Sequence, residues 1–252
     1  MPPELKALVT GKRVAVVGNA QSLNSTTYGK EIDAHDVVIR INHAANFYIG
    51  SESFDGEDVD LEAAVGSKID VWAIWDKANY VFWVDRLPKL AKEVYNKDGG
   101  VQVPLLDLAM GRRWQGFFWV PRGNNWKDHV PHVPKDAKEY SEKYLDQIQF
   151  KGELCKDFQN PSSGITVLSL LDLCQRRGTT KKAPKGRMSL GRSMEVNIYG
   201  FDFKETPTFN KPNEKITETE DGERICRFGH KFIREKDAIL TMCKDNGWKL
   251  KK

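Results

Sequence analysis

The chain has 252 residues, 40% hydrophobic and 10% aromatic, enough to bury a sizeable core, so disorder is excluded as the dominant state. Lys and Arg number 39 against 35 Asp and Glu, and the resulting net charge of +4 is too mild to name nucleic acid as a partner, which asks for a clustered basic excess. Mean hydropathy is −0.55, and the longest apolar runs, such as Phe117–Val120, fall far short of the roughly 20 residues a membrane span needs.

The first strong element in chain order is Arg13–Val17, a continuous apolar run ending at Gly18-Asn19, which predicts a strand buried on both faces. Tyr28–Ala34 reads as a short helix, and Val37–Asn42 and Ile69–Trp75 as further strands. Trp83–Asn96 reads as a helix, Val101–Leu106 and Phe117–Val120 as strands, and Asp136–Phe150 as a helix. Pro161-Ser162-Ser163-Gly164 opens a helix over Ile165–Gln175. Glu195–Tyr199 is another strand, and His230–Asn246 a last helix, stopped by Gly247. Strands alternating with helices predict an α/β fold with a mostly parallel sheet. No stretch has linker composition and no repeat is present, so residues 1–252 read as one domain.

Four cysteines (Cys155, Cys174, Cys226, Cys243) form no C-x-x-C pair, which excludes zinc-ribbon and thioredoxin readings. Free thiols are expected, and with them a soluble protein of a reducing, cytoplasmic compartment. The opening residues lack the apolar core of a secretory signal. Two segments are strongly biased. Ser51–Glu62 carries six acidic residues and no base, and Arg176–Arg192 carries seven bases and no acid. Both read as solvated loops, with the basic one also able to steer anions.

Several places have chemical potential. Gly18-Asn19-Ala20-Gln21-Ser22 follows a strand, where open α/β sheets bind ligands, although the later glycines of the dinucleotide fingerprint are absent. It reads equally as a strand-ending turn. Pro161–Gly164 fits a helix cap, and the same geometry would aim N–H groups, hydroxyls and a positive dipole end at a phosphate. His230, with Glu235 five residues on, opens a helix; a neutral imidazole there suits a general base near pH 7. Asp58-Val59-Asp60 is a D-x-D of the kind that holds a divalent cation between phosphates, but it lies inside the acidic segment. His129 and His132 lack nearby partner ligands, and no metal site is assigned.

Three segments, taken in order, resemble the eukaryotic-type sialyltransferases of glycosyltransferase family 29. Val14–Asn19, Tyr28–Asp33, His35-Asp36, Arg40-Ile41-Asn42 with Ala44, and Val65–Lys68 are similar to its large sialylmotif. Pro161–Ile165 through Leu173-Cys174, then Asn197–Phe201, are similar to the small motif, and His230 with Glu235 to the very small one.

The resemblance implies a Rossmann-like glycosyltransferase domain of the A-like kind. Such an enzyme would move sialic acid, or a related keto-sugar such as Kdo, from its CMP donor to a glycan hydroxyl, with inversion and with neither metal nor cofactor. It further implies donor contacts from Gly18, Asn19, Ala20, Asn42, Ser162, Ser163, Gly164 and Phe201, with His230 as the base and Arg40 and Glu235 in support. The implied partners are a CMP-sugar and a glycan acceptor, with no nucleic acid and no transmembrane segment. The departures are specific. Val14 stands where the family has a cysteine that pairs with the one matching Cys174, and no His/Tyr-rich motif lies between Phe203 and Gly229. The membrane anchor of the animal enzymes has no counterpart here, which is expected either of a compact bacterial or viral-like member or of a chain from which an anchor was removed. Two other readings are a CMP-binding module without turnover and a metal-dependent transferase using Asp58 and Asp60.

Overall fold

A computed structural model describes residues 2–42, 60–74, 103–108, 117–124, 150, 153–158, 161–178, 194–203, 217–218, 220, 224–225 and 232–251. Its strands are β1 (Arg13–Val17), β2 (Val37–Ile41), β3 (Val71–Ile74), β4 (Leu105–Asp107), β5 (Phe118–Val120), β6 (Glu195–Tyr199), β7 (Thr217–Glu218), β8 (Arg224–Ile225) and β9 (Lys249–Leu250). The helices are α1 (Pro3–Val9), α2 (Gly29–Asp33), α3 (Leu61–Val65), α4 (Ser163–Gly178) and α5 (Phe232–Asn246), with a 3-10 turn at Gln21–Ser25.

Seven strands form one sheet in the order β5-β4-β3-β2-β1-β6-β9, and β7 and β8 form a separate antiparallel pair. Within the large sheet every pairing is parallel except β4 with β5. The continuous apolar runs are explained by burial on two sides, because successive side chains of a strand face opposite surfaces. Val14 and Val16 of β1 join Val37, Ile39, Val196 and Ile198 against α1, α4 and α5. Ala15 and Val17 join Val38 and Tyr199 against Leu23, Ile32, Ala64 and Val65 on the other face. The sheet is therefore covered on both faces, as parallel sheets require.

The strand order sets the location of a ligand site. From β1 the chain steps outward through β2, β3 and β4, and later returns to place β6 on the opposite side of β1. The carboxyl ends of β1 and β6 thus flank the topological switch point, where open α/β sheets hold ligands.

The predicted elements are present, except where they fall outside the described residues, as Trp83–Asn96 and most of Asp136–Phe150 do; most have trimmed ends, while the helix predicted over Ile165–Gln175 runs longer, from Ser163 to Gly178, and the strand predicted over Val101–Leu106 lies at Leu105–Asp107. The structure adds α1, α3, β7, β8 and β9. Part of the acidic segment is a helix: Asp60 is the N-cap of α3, its Oδ1 accepting the Ala63 N–H at 3.0 Å.

Beyond β9 the chain is anchored electrostatically. Lys251 Nζ lies 2.6 Å from the Glu31 carboxylate, which also accepts the Tyr199 hydroxyl at 3.0 Å. The Lys251 contact is the chief cause of a Glu31 pKa below the ordinary value, opposed by burial and aided by Tyr199. A depressed carboxylate pKa stabilises the fold above the unfolded pKa, and that contribution disappears as pH falls through the folded one. Glu31→Gln is expected to cost less than about 1 kcal/mol at pH 7, because the pair is partly exposed. Urea melts at pH 7 and pH 3 should show the difference between the two proteins shrinking to nothing in acid; a difference independent of pH would contradict the assignment.

Candidate functional site

Four segments meet at the switch point. Gly18 ends β1 and donates its N–H to Tyr199 O at 2.8 Å, while Ala20 N–H donates to Gly200 O at 3.4 Å, so the turns after β1 and β6 run side by side. A Cβ on Gly18 would lie 2.4 Å from Gly200 O and 3.0 Å from the Phe201 ring. A Cβ on Gly164 would lie 2.6 Å from the same ring. The Phe201 ring thus fills the space between the β1 turn and the start of α4, and a side chain at either glycine would displace it. Asn19 is half-buried beside Gly18.

Asn42 follows β2 with φ of +49°, a left-handed conformation that Asn tolerates better than most residues. Its carbonyl accepts Trp72 Nε1–H at 2.7 Å, and its Nδ2 donates to Ser163 Oγ at 3.0 Å. One hydrogen bond therefore joins two motifs that lie 121 residues apart. The Ser163 hydroxyl, which accepts from Asn42, retains its own proton for donation. Trp72 was not singled out from the sequence. A tryptophan in a buried strand reads simply as core, and only the fold shows its indole N–H holding the Asn42 backbone.

Ser162 has a different environment from Ser163. Its Oγ accepts Ile165 N–H at 3.3 Å and donates to Glu235 Oε2 at 2.5 Å, and its backbone N–H donates to Glu235 Oε1 at 2.8 Å. The Ser162 carbonyl receives Thr166 N–H and Thr166 Oγ1–H, so Ser162 caps α4.

Arg40 lies away from these groups, fully buried on the α3 side of β2. Its Nη2 donates to Val65 O at 2.8 Å and its Nε to Lys68 O at 3.0 Å, and the Asp33 carboxylate is 4.0 Å away. Asp33 in turn accepts the N–H groups of Ser67 and Lys68. Burial lowers the guanidinium pKa to about 10, against the pull of Asp33, so it stays charged at neutral pH. His35 and Asp36 are likewise framework: His35 Nε2 accepts from Asn197 Nδ2 at 2.7 Å, and Asp36 accepts the Arg13 N–H at 2.9 Å. Much of the large-motif segment thus serves to lock α2, α3 and the strands together.

His230, Asp58, His129 and His132 lie outside the described residues. Among the described residues no group of three or more His, Cys, Asp or Glu is arranged to hold a metal ion. Cys174 lies in the same apolar cluster as Val14, and burial raises its thiol pKa to about 11, which leaves it protonated at neutral pH. Among the described residues no helix is long and apolar enough to cross a membrane.

An α/β chain with its motif residues gathered at a parallel-sheet switch point has its candidate site where open α/β sheets hold ligands. Comparison with known proteins gives its similarities. The model of glycosyltransferase family 29 (sialyltransferase) matches residues 6–48. The chain is 43% identical over 63 residues to the CMP-N-acetylneuraminate-beta-galactosamide-alpha-2,3-sialyltransferase 1 of Mus musculus, covering 25% of this chain and 15% of that protein. It is 25% identical over 214 residues to the Gallus gallus enzyme of the same name, covering 79% of this chain and 47% of that protein. The matches thus span less than half the length of these relatives. A crystal structure of a mammalian sialyltransferase in complex with Gal-beta-1-3GalNAc-ortho-nitrophenol aligns with 19% identity over 98% of this chain and 71% of that one, at a TM-score of 0.39.

Proposed function

We propose that this chain is a CMP-sugar-dependent glycosyltransferase. In this reading it moves sialic acid, or a related keto-sugar such as Kdo, from CMP to a glycan hydroxyl, with inversion and without a metal. The observation that carries the reading is the Asn42–Ser163 hydrogen bond at the switch point, which brings the large-motif and small-motif segments to one place beside Gly18, Gly164 and Phe201.

The chemistry follows from these groups. As the bond between the anomeric carbon and the phosphate oxygen breaks, the sugar takes on oxocarbenium character and negative charge grows on the departing CMP. The first turn of α4, with the N–H groups of Ser163 and Gly164 and its positive dipole end, suits that charge, and Ser163 Oγ–H adds a neutral donor. His230 would take the proton of the acceptor hydroxyl while its oxygen bonds to the anomeric carbon from the opposite side, giving inversion in a single displacement. Gly18 and Gly164 would let backbone approach the nucleotide, with Asn19 and Ala20 beside it and Phe201 as a wall. Asp60 has a structural role as the α3 cap, its Oδ1 accepting the Ala63 N–H.

The names of the relatives suggest β-linked galactose or galactosamide termini as the first acceptors to test. Incubation with CMP-sialic acid and, separately, CMP-Kdo in EDTA should release CMP only when such an acceptor is present. Release that requires added divalent metal would overturn the metal-free mechanism, and no transfer from either donor would overturn the enzymatic reading. Ser163→Ala is expected to weaken CMP binding by roughly 1 kcal/mol, about fivefold, as one hydrogen bond is lost. An unchanged dissociation constant by calorimetry would leave Ser163 as a framework residue.

A further inference from the structure

We infer that Glu235 is a positioning residue for donor binding and transfer, acting through Ser162; the inference rests on the proposed CMP-sugar reading. Glu235 is 2% exposed on the first turn of α5, and its two carboxylate oxygens take the N–H and the Oγ–H of Ser162, 73 residues earlier. A carboxylate this deeply buried is tolerated only where its oxygens are hydrogen-bonded. Here both accept from one residue, a two-point grip that fixes orientation as well as distance.

The consequence is a division of labour between adjacent serines. The Ser162 hydroxyl has one proton, spent on Glu235, while a lone pair holds the Ile165 N–H, so it has no proton to offer a nucleotide. Ser162 is a strut, and donor recognition in this turn falls to Ser163 and to the N–H groups that the strut holds in place. This replaces the expectation that both hydroxyls touch the donor. The same carboxylate stands five residues after His230 in sequence, at the start of the helix that follows it. It therefore ties the first turn of α5 to the first turn of α4, and a loosened grip should disturb both the donor and the step assigned to His230.

The test compares Glu235→Gln, Ser162→Ala, the double variant and Ser163→Ala, each shown to be folded by its heat-unfolding midpoint and measured well below that temperature. Glu235→Gln keeps the shape and removes one of the two acceptors; if it fails to fold, Ser162→Ala reports on the same contact. Glu235→Gln is expected to weaken CMP binding about tenfold, the scale of a hydrogen bond to a charged group. It should also lower kcat. The double variant should bind CMP no more weakly than the worse single one, because both changes break one contact, while Ser163→Ala should add to Glu235→Gln. Glu235→Asp, which keeps the charge, should recover part of the loss. Wild-type CMP affinity and kcat in Glu235→Gln, or full additivity with Ser162→Ala, would overturn this inference alone. Failure of the wild-type protein to bind CMP would overturn the functional reading and this inference with it.

Discussion

Replacing His230 by alanine is expected to lower the rate of sugar transfer by about 10²–10⁴-fold, the usual contribution of a positioned general base, while leaving CMP affinity within about twofold. The expectation follows from the chemistry the site has to supply. In the proposed transfer the leaving CMP needs electrostatic stabilisation but no proton, because its phosphate departs as an anion. The acceptor hydroxyl, by contrast, must lose a proton as it attacks, and a base is required on that side alone. A histidine is the side chain whose ordinary pKa places it as an acceptor of protons near pH 7. His230 stands just ahead of α5, whose first turn is bound to the donor helix through Glu235. Transfer rates with saturating donor, set beside CMP titrations of the same variant, check both halves of the expectation. A near-normal rate would remove His230 from the mechanism; a matching loss of CMP affinity would make it a donor contact instead.

The second large effect is on stability. Arg40→Met is expected to destabilise the protein by about 3–5 kcal/mol, the range for removing one partner of a buried ion pair. Arg40 sits in the middle of β2, with Val17 and Trp72 opposite it on the neighbouring strands. Its guanidinium supplies donors to Val65 O, at the last residue of α3, and to Lys68 O. Carbonyls at a helix end have no partner within the helix, and a cation there also suits the dipole. Methionine would fill much of the space but leave those carbonyls without their donor and Asp33 without its neighbouring cation. Urea denaturation at pH 7 gives the measurement. A loss below 1 kcal/mol would mean that α3 is held by its apolar contacts, Ala64 and Val65, rather than by Arg40.

Strands β1, β2 and β6 were legible in the sequence because burial on both faces demands unbroken apolar runs, and Glu195–Tyr199 has the same limits in the structure as in the reading. What escaped notice lacks such a signature. Helix α1 buries only Leu5 and Val9, too few positions to define a period. Helix α3 was hidden by the acidic composition around it, since a run of carboxylates reads as solvated loop even where one of them caps a helix. Strand β9 has two residues and exists through its pairing with β6. The candidate site shows the same split. Gly18, Asn42, Ser163, Gly164 and Phe201 come together because the fold carries four separate segments to the carboxyl ends of the central strands. The contact of Ser162 with Glu235 and the burial of Arg40 behind α3 depend on packing between elements, which residue types and spacing do not encode.

The central claim is that the switch point of this sheet binds CMP. Isothermal titration of the wild-type protein with CMP in EDTA, with UMP and GMP in parallel, tests it most directly. Saturable one-to-one binding of CMP is expected, at least about tenfold tighter than that of either other nucleotide and weaker in the Ser163→Ala variant. No binding of CMP, or equal binding of all three nucleotides, would contradict it.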